Sequence, residues 1–264
     1  MTGIAGAQAG HPLPERGRRF LRTGRTLGVA HRGAARYAPE NTLAAFALAL
    51  EHGAPAVECD VRRTRDGHLV VIHDPIVDRT TDGHGPVASL TLDEVRRLDA
   101  GRWFAPEWAG ERVPLLEEVL GIVRGRALIK IEIKNDPTPA QGIERQVADA
   151  IRRQGLEEEV FVMSFDHHVV RAVRAAAPRI ATGILYSARL VDAVAAARAA
   201  AADGLCIHWG YLDQGVVAEA RQAGLGIFTW TVDDEEMFRR CLDLGVDGVT
   251  SNDTRLIARM GGEA

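Results

Sequence analysis

Cysteine is scarce in this chain of 264 residues: Cys59, Cys206 and Cys241 stand far apart, without CxxC spacing. That usage argues against a zinc site and against a disulfide framework, and a reducing, cytoplasmic compartment suits it best. A basic excess is also missing. Lys and Arg number 32 against 36 Asp and Glu, for a net charge of −4, so there is no cationic field for non-specific nucleic-acid binding, and no nucleic-acid partner is expected. Long apolar runs are absent too. The Ala-rich stretch "AVAAARAAAADG" is broken by Arg198 and Asp203 and is too short to span a bilayer, so stable membrane insertion is not expected. Residues 1–25 carry Arg16, Arg18, Arg19, Arg22 and Arg25 but no continuous apolar segment ahead of them. They read as a flexible leader, not a signal peptide.

What is present is an ordinary globular composition, 46% hydrophobic and 26% charged, enough for a sizeable core. From residue 27 onward short β-branched runs alternate with longer helical patterns. The predicted strands are Leu27–Ala30, Ala56–Val61, Leu128–Lys134, Val160–Ser164, Ile180–Tyr186, Leu205–His208, Gly226–Thr231 and Val246–Thr250. A helix is predicted after each, from Thr42–Glu51 to Thr254–Arg259. Repeated βα units at this length predict one α/β domain over residues 26–264, a TIM (β/α)8 barrel. The alternation breaks once, over about residues 62–113, and a stretch this long reads as a functional insertion after strand two.

In such a barrel the chemistry gathers at the C-terminal strand ends. There the chain has His31 and Arg32, then Glu58 and Asp60, then Glu132 and Lys134, then Ser164, and finally Trp230. Residues two apart on a strand share a face, so Glu58 and Asp60 point together while Val57, Cys59 and Val61 point away. Lys130, Glu132 and Lys134 likewise alternate with Ile129, Ile131 and Ile133. Inward carboxylates without a partner would be costly. A divalent cation with a hard-oxygen shell, magnesium or calcium, resolves the conflict, and the two metals are not distinguished by the ligand types. After strand two, "TRDGHLVVIHD" predicts a hairpin turning at Asp66-Gly67 that delivers His73 at its tip. Two histidines, a Lewis acid and a fixed cation are the parts that phosphodiester cleavage needs.

Several neighbours have simpler readings. Gly33 lets the chain turn sharply after strand one, and Asn41 is the expected cap of the first helix, with Glu40 at the helix start. Ser164 is expected to close a backbone hydrogen bond. Asp74 is expected to point away from His73 and to cap a loop. His84, His167, His168 and His208 have no partner spacing, and "DGHGP" lacks the GxxxxGK[ST] of a phosphate loop.

Taken in order, "HRG", "PENT", "ECDVRRTRDGHLVVIHD", "RTTDGHG", "LDAG", "PLLEEVL", "IEIKN" and "FTWTVDD" resemble the glycerophosphodiester phosphodiesterase family. The resemblance covers nearly everything from residue 28 to residue 250. It implies a TIM barrel with a small insertion after strand two, His31 and His73 as the acid–base pair, and Glu58, Asp60 and Glu132 as ligands of a divalent metal. It further implies that Arg32 and Lys134 bind the phosphate and that Trp230 packs on the glycerol carbons. Lys130, and "TSND" at the last strand, depart from the family pattern. The expected reaction is hydrolysis of a small-molecule glycerophosphodiester to sn-glycerol 3-phosphate and an alcohol. One alternative is phospholipase D-like cleavage of lysophospholipid or sphingolipid headgroups, with Trp103, Phe104 and Trp108 offering an apolar path. Another is a non-catalytic barrel that binds phosphorylated ligands.

Overall fold

The β-runs are buried at nearly every position, so both faces of the sheet need cover, and the chain supplies it by closing the sheet on itself and surrounding it with helices. The computed structural model describes residues 19–21 and 23–261. Its barrel strands are β1 (Leu27–Ala30), β2 (Ala56–Arg63), β4 (Leu128–Ile133), β5 (Val160–Ser164), β6 (Ala181–Tyr186), β7 (Gly204–His208), β8 (Gly226–Trp230) and β9 (Gly248–Ser251). All run parallel to their neighbours, and β1 closes the ring by pairing with both β2 and β9. The short β3 (Leu69–Val71) lies outside the ring, antiparallel to β2, with Val61 opposite Val71 and Arg63 opposite Leu69. The fold is the expected TIM barrel.

Around the strands lie α1 (Leu43–Glu51), a short α2 (Leu92–Val95), α3 (Leu116–Val123), α4 (Ile143–Gln154), α5 (His167–Ala176), α6 (Ala193–Ala199), α7 (Gln214–Gln222), α8 (Glu235–Leu244) and α9 (Thr254–Gly261). Aspartates start four of them. Asp166, Asp192, Asp213 and Asp234 each accept an amide N–H from the first turn of α5, α6, α7 and α8, satisfying a donor that the helix cannot. Each cap follows a strand end closely, which keeps the loops at the C-terminal mouth short.

The outward residues of β2 and β4, Val57, Cys59, Val61, Ile129, Ile131 and Ile133, join the large core beneath the helices. Inside the ring, Phe161 and Phe228 meet with centroids 4.9 Å apart. They fit because two facing positions have no side chain. A Cβ on Gly183 would lie 2.6 Å from Phe161, and one on Gly248 2.7 Å from Phe228. Phe20 and Leu21 are buried in the same interior cluster. These two residues fall within the expected leader and belong to the core; the rest of that leader through residue 18, and residue 22, lies outside the described residues.

The insertion has a core of its own, built from Val70, Ile72, Val77, Val87, Val95, Ala100 and Val113. Asp99 organises its far end by accepting the N–H groups of Gly101, Arg102 and Gly110 at 2.8–2.9 Å. Among the described residues, no helix is long and apolar enough to cross a membrane. The three cysteines are free and buried.

Candidate active site

A cavity of about 100 Å³ opens at the C-terminal end of the barrel, and its lining includes His31, Arg32, Glu58, His73, Glu132, Lys134 and Trp230. Asp60 lies buried beneath it, within 3.2 Å of Arg32 Nε and 3.3 Å of Lys134 Nζ. All eight candidate site residues therefore meet. Register explains the carboxylates: Asp60 stands beside Glu132 on paired strands, and Glu58 beside Lys130, all on the inward face. Ligand oxygens of Glu58, Asp60 and Glu132 lie within 4.8 Å of one another. Lys134 also touches Glu132 at 2.6 Å.

Electrostatics set these groups apart. Burial, then the neighbouring Asp60 and Glu132, push the Glu58 carboxyl well up. Burial pushes Glu132 up to about 7 even though Lys134 opposes it. Burial also disfavours charge on Asp60, but Lys134 and Arg32 outweigh it and hold that carboxyl low. One Asp60 oxygen, Oδ1, is buried with the Lys134 ammonium 3.3 Å away and no geometrically formed hydrogen bond. Three buried carboxylates converging within 4.8 Å, with burial and mutual repulsion pushing Glu58 and Glu132 up, fit a hard divalent cation.

Backbone conformation at the β1 end is unusual. Arg32 has φ 53° and Asn41 φ 60°, and for a non-glycine such as Arg32 this left-handed region is strained and concentrates at functional sites. The bend lets the Arg32 N–H donate to Glu58 at 3.0 Å while its side chain reaches Asp60 and, at 2.8 Å, Glu40. Gly33, at φ 83°, carries the turn as expected. Asn41 is not the helix cap. Thr42, with extended backbone, caps α1 through Ala45 N–H. Asn41 instead donates to Asp60 at 2.9 Å and accepts the Asp60 N–H.

Each histidine has a partner that fixes its tautomer. Asp233 accepts both the side-chain amide and the backbone N–H of Asn252, at 2.6 and 2.7 Å. That turns the Asn252 oxygen toward His31 Nδ1, 2.7 Å away. His31 Nδ1 is therefore the donor, and Nε2 is left bare on the side of Glu58, 3.9 Å distant. Burial and the charge of Arg32 push His31 down to about 4. His73 Nδ1 lies 2.6 Å from Asp74 Oδ1, so its Nε2 is also the free nitrogen. Burial lowers His73 as well.

Asp74 thus departs from its expected role as a loop cap. Alternation would turn it away from His73, but β3 ends at Val71, and beyond it the backbone no longer alternates. Arg62 anchors this irregular segment by donating to the His73 carbonyl at 2.8 Å. Glu40, expected at the helix start, joins Arg32 to Arg79. Ser164 does close a backbone bond, to the Ile133 carbonyl. The aromatic wall consists of Trp230 and Phe165, ring centroids 5.6 Å apart and nearly perpendicular. Trp103, Phe104 and Trp108 do not line the cavity; Trp103 is tied to the Ala100 carbonyl and packs edge-on against Phe104. Lys130, on the cavity floor, holds its ammonium 4.3 Å over the Phe228 ring.

A closed parallel barrel that gathers acids, imidazoles and cations over one cavity at its C-terminal end defines the class: an enzyme built on the TIM barrel. The model of the glycerophosphoryl diester phosphodiesterase family matches residues 31–256, and the chain belongs to that family. It is 41% identical to a glycerophosphodiester phosphodiesterase of Caldanaerobacter subterraneus subsp. tengcongensis, over 89% of this chain and 98% of the relative. Among solved structures, it resembles the glycerophosphodiester phosphodiesterase of Agrobacterium tumefaciens (TM-score 0.78, 34% identity, 89% of this chain and 99% of the other). It also resembles an Oleispira antarctica phosphodiesterase solved in complex with the product sn-glycerol-3-phosphate (TM-score 0.82, 29% identity, 93% of this chain and 98% of the other).

Proposed function

We propose that this protein hydrolyses small glycerophosphodiesters to sn-glycerol 3-phosphate and an alcohol, with a divalent metal held by Glu58, Asp60 and Glu132. The observation that carries the reading is the convergence of two oppositely partnered histidines and this acidic cluster on one cavity. The product named for the Oleispira antarctica relative supports the choice of substrate. When bound, magnesium or calcium supplies Lewis acidity and neutralises charge that develops on the phosphoryl oxygens.

The chain's own residues do the rest. Arg32 and Lys134 hold the anionic phosphate, each already oriented by Asp60. Trp230 packs against the glycerol carbons. His31 has a neutral amide on Nδ1 and is pushed down to about 4, so at neutral pH its bare Nε2 accepts a proton from the attacking oxygen. His73 has an anionic partner in Asp74, which opposes the net lowering that burial imposes. Unlike the neutral amide on His31, this partner stabilises the protonated ring, so His73 is assigned to donate a proton to the departing alkoxide. General acid–base help of this kind is worth about 10²–10⁴-fold.

Leaving groups test the division of labour. An alkoxide needs its proton, whereas a nitrophenolate hardly does. His73→Ala is expected to cripple turnover of glycerophosphocholine yet largely spare a glycerophospho-nitrophenyl analogue, while His31→Ala damages both. Equal losses on both substrates for both variants would overturn the assignment of roles, and full activity in both variants would remove the site.

A further inference from the structure

The proposed chemistry leaves one part of the insertion unused. Arg79 does not line the cavity, and its side chain is 44% exposed. Yet it makes four hydrogen bonds to carboxylates. It reaches Asp74 through Nε at 2.6 Å and through a terminal nitrogen at 3.3 Å. It reaches Glu40 through both terminal nitrogens, at 3.0 and 2.8 Å. Its two carboxylate partners are largely buried, 13% and 22% exposed, so the doubly forked arginine ties together groups that sit beside the cavity.

Asp74 holds His73 Nδ1 at 2.6 Å, and Glu40 holds Arg32 at 2.8 Å. The order His73, Asp74, Arg79, Glu40, Arg32 is therefore a continuous ladder joining two loops that approach the cavity from different strands. His73 lies beyond the end of β3, where no ladder partner directs its side chain. Its carbonyl is held by Arg62, but its ring is aimed by Asp74, whose carboxylate Arg79 holds in turn. A planar guanidinium can bond two carboxylates in fixed geometry; an ammonium cannot.

We propose that Arg79 is a positioning residue for the reaction, which acts through Asp74 to aim the His73 ring and locks the His73 loop to the Arg32 loop. This rests on the reading of His73 as the acid. Arg79→Ala is expected to lower kcat on glycerophosphocholine about 10-fold or more, the scale seen when an outer partner of a site residue is removed. KM should move far less, because Arg32 keeps both Glu40 and Asp60. The nitrophenyl analogue should be largely spared, and Arg79→Lys should recover only part of the loss.

The decisive comparison is a double-mutant cycle with His73→Ala on both substrates, alongside thermal unfolding of each variant. If Arg79 acts through His73, the double variant is no slower than His73→Ala alone. Should Arg79→Ala fold poorly, Arg79→Gln and Arg79→Lys complete the same cycle. Additive losses, equal losses on both substrates, or unchanged kinetics in Arg79→Ala would overturn the inference while a leaving-group-selective His73→Ala still stood. A His73→Ala variant with no such selectivity would overturn the acid assignment and the inference with it.

Discussion

Replacing Asn252 by Ala isolates the orientation of the base from its chemistry. In the ground state the Asn252 oxygen accepts from neutral His31 at 2.7 Å, a bond worth about 1 kcal/mol net. In the transition state His31 carries a proton on both nitrogens. The same bond is then charge-assisted and worth about 2–2.5 kcal/mol. The difference, about 1–1.5 kcal/mol, is roughly 5- to 12-fold in kcat. Loss of the fixed tautomer adds a factor of about two, since either ring nitrogen then carries the proton. The fold should tolerate the change, because Asp233 keeps the Ser251 hydroxyl at 2.9 Å and the residue 252 backbone N–H at 2.7 Å. Steady-state kinetics on glycerophosphocholine and on the nitrophenyl analogue should show kcat reduced about 10- to 20-fold on both, with KM little changed. A loss confined to the alkoxide substrate, or no loss in a folded variant, would refute the assignment of His31 as base.

Three further outcomes follow from the geometry. Glu58→Gln should weaken binding of magnesium or calcium, read by titration calorimetry, and lower activity in parallel; unchanged metal affinity would remove Glu58 from the ligand set. Gly183→Ala forces a Cβ to within 2.6 Å of Phe161 and should cost about 1–3 kcal/mol of stability, seen as a lower Tm. Three amide bonds hold the Asp99 carboxyl down to about 2, below its unfolded value of roughly 3.9. Its contribution to stability is complete above the unfolded value and is lost as pH falls through the folded one, so Asp99→Asn should flatten the decline in Tm between about pH 4 and pH 2.

The barrel and the convergence of most of its candidate site residues were legible because closure imposes a period of two that short strands obey. Glu58 and Asp60 alternate with valines and a cysteine, and Glu132 and Lys134 with isoleucines, and each set faces where alternation directs it. What escaped lies where periodicity stops. Asp74 follows the end of β3, so its direction is set by contacts with Arg79 and His73 and not by the pleat. Asn41 and Thr42 have similar capping preferences, and only the left-handed backbone at Asn41 decides between them. The pairs Asn252 with His31 and Arg79 with Glu40 join residues 221 and 39 positions apart, a separation no local pattern reports. Phe165 follows β5 directly and carries no motif that would single it out, yet the structure leaves it 46% exposed at the cavity.

Metal-dependent hydrolysis at this site can be followed by ³¹P NMR of glycerophosphocholine in the presence of the protein, with and without divalent metal. The expected outcome is sn-glycerol 3-phosphate and choline as products, no turnover in excess chelator, and recovery when magnesium or calcium is restored. Phosphocholine and glycerol as products, undiminished turnover in excess chelator, or no turnover with either metal would contradict it.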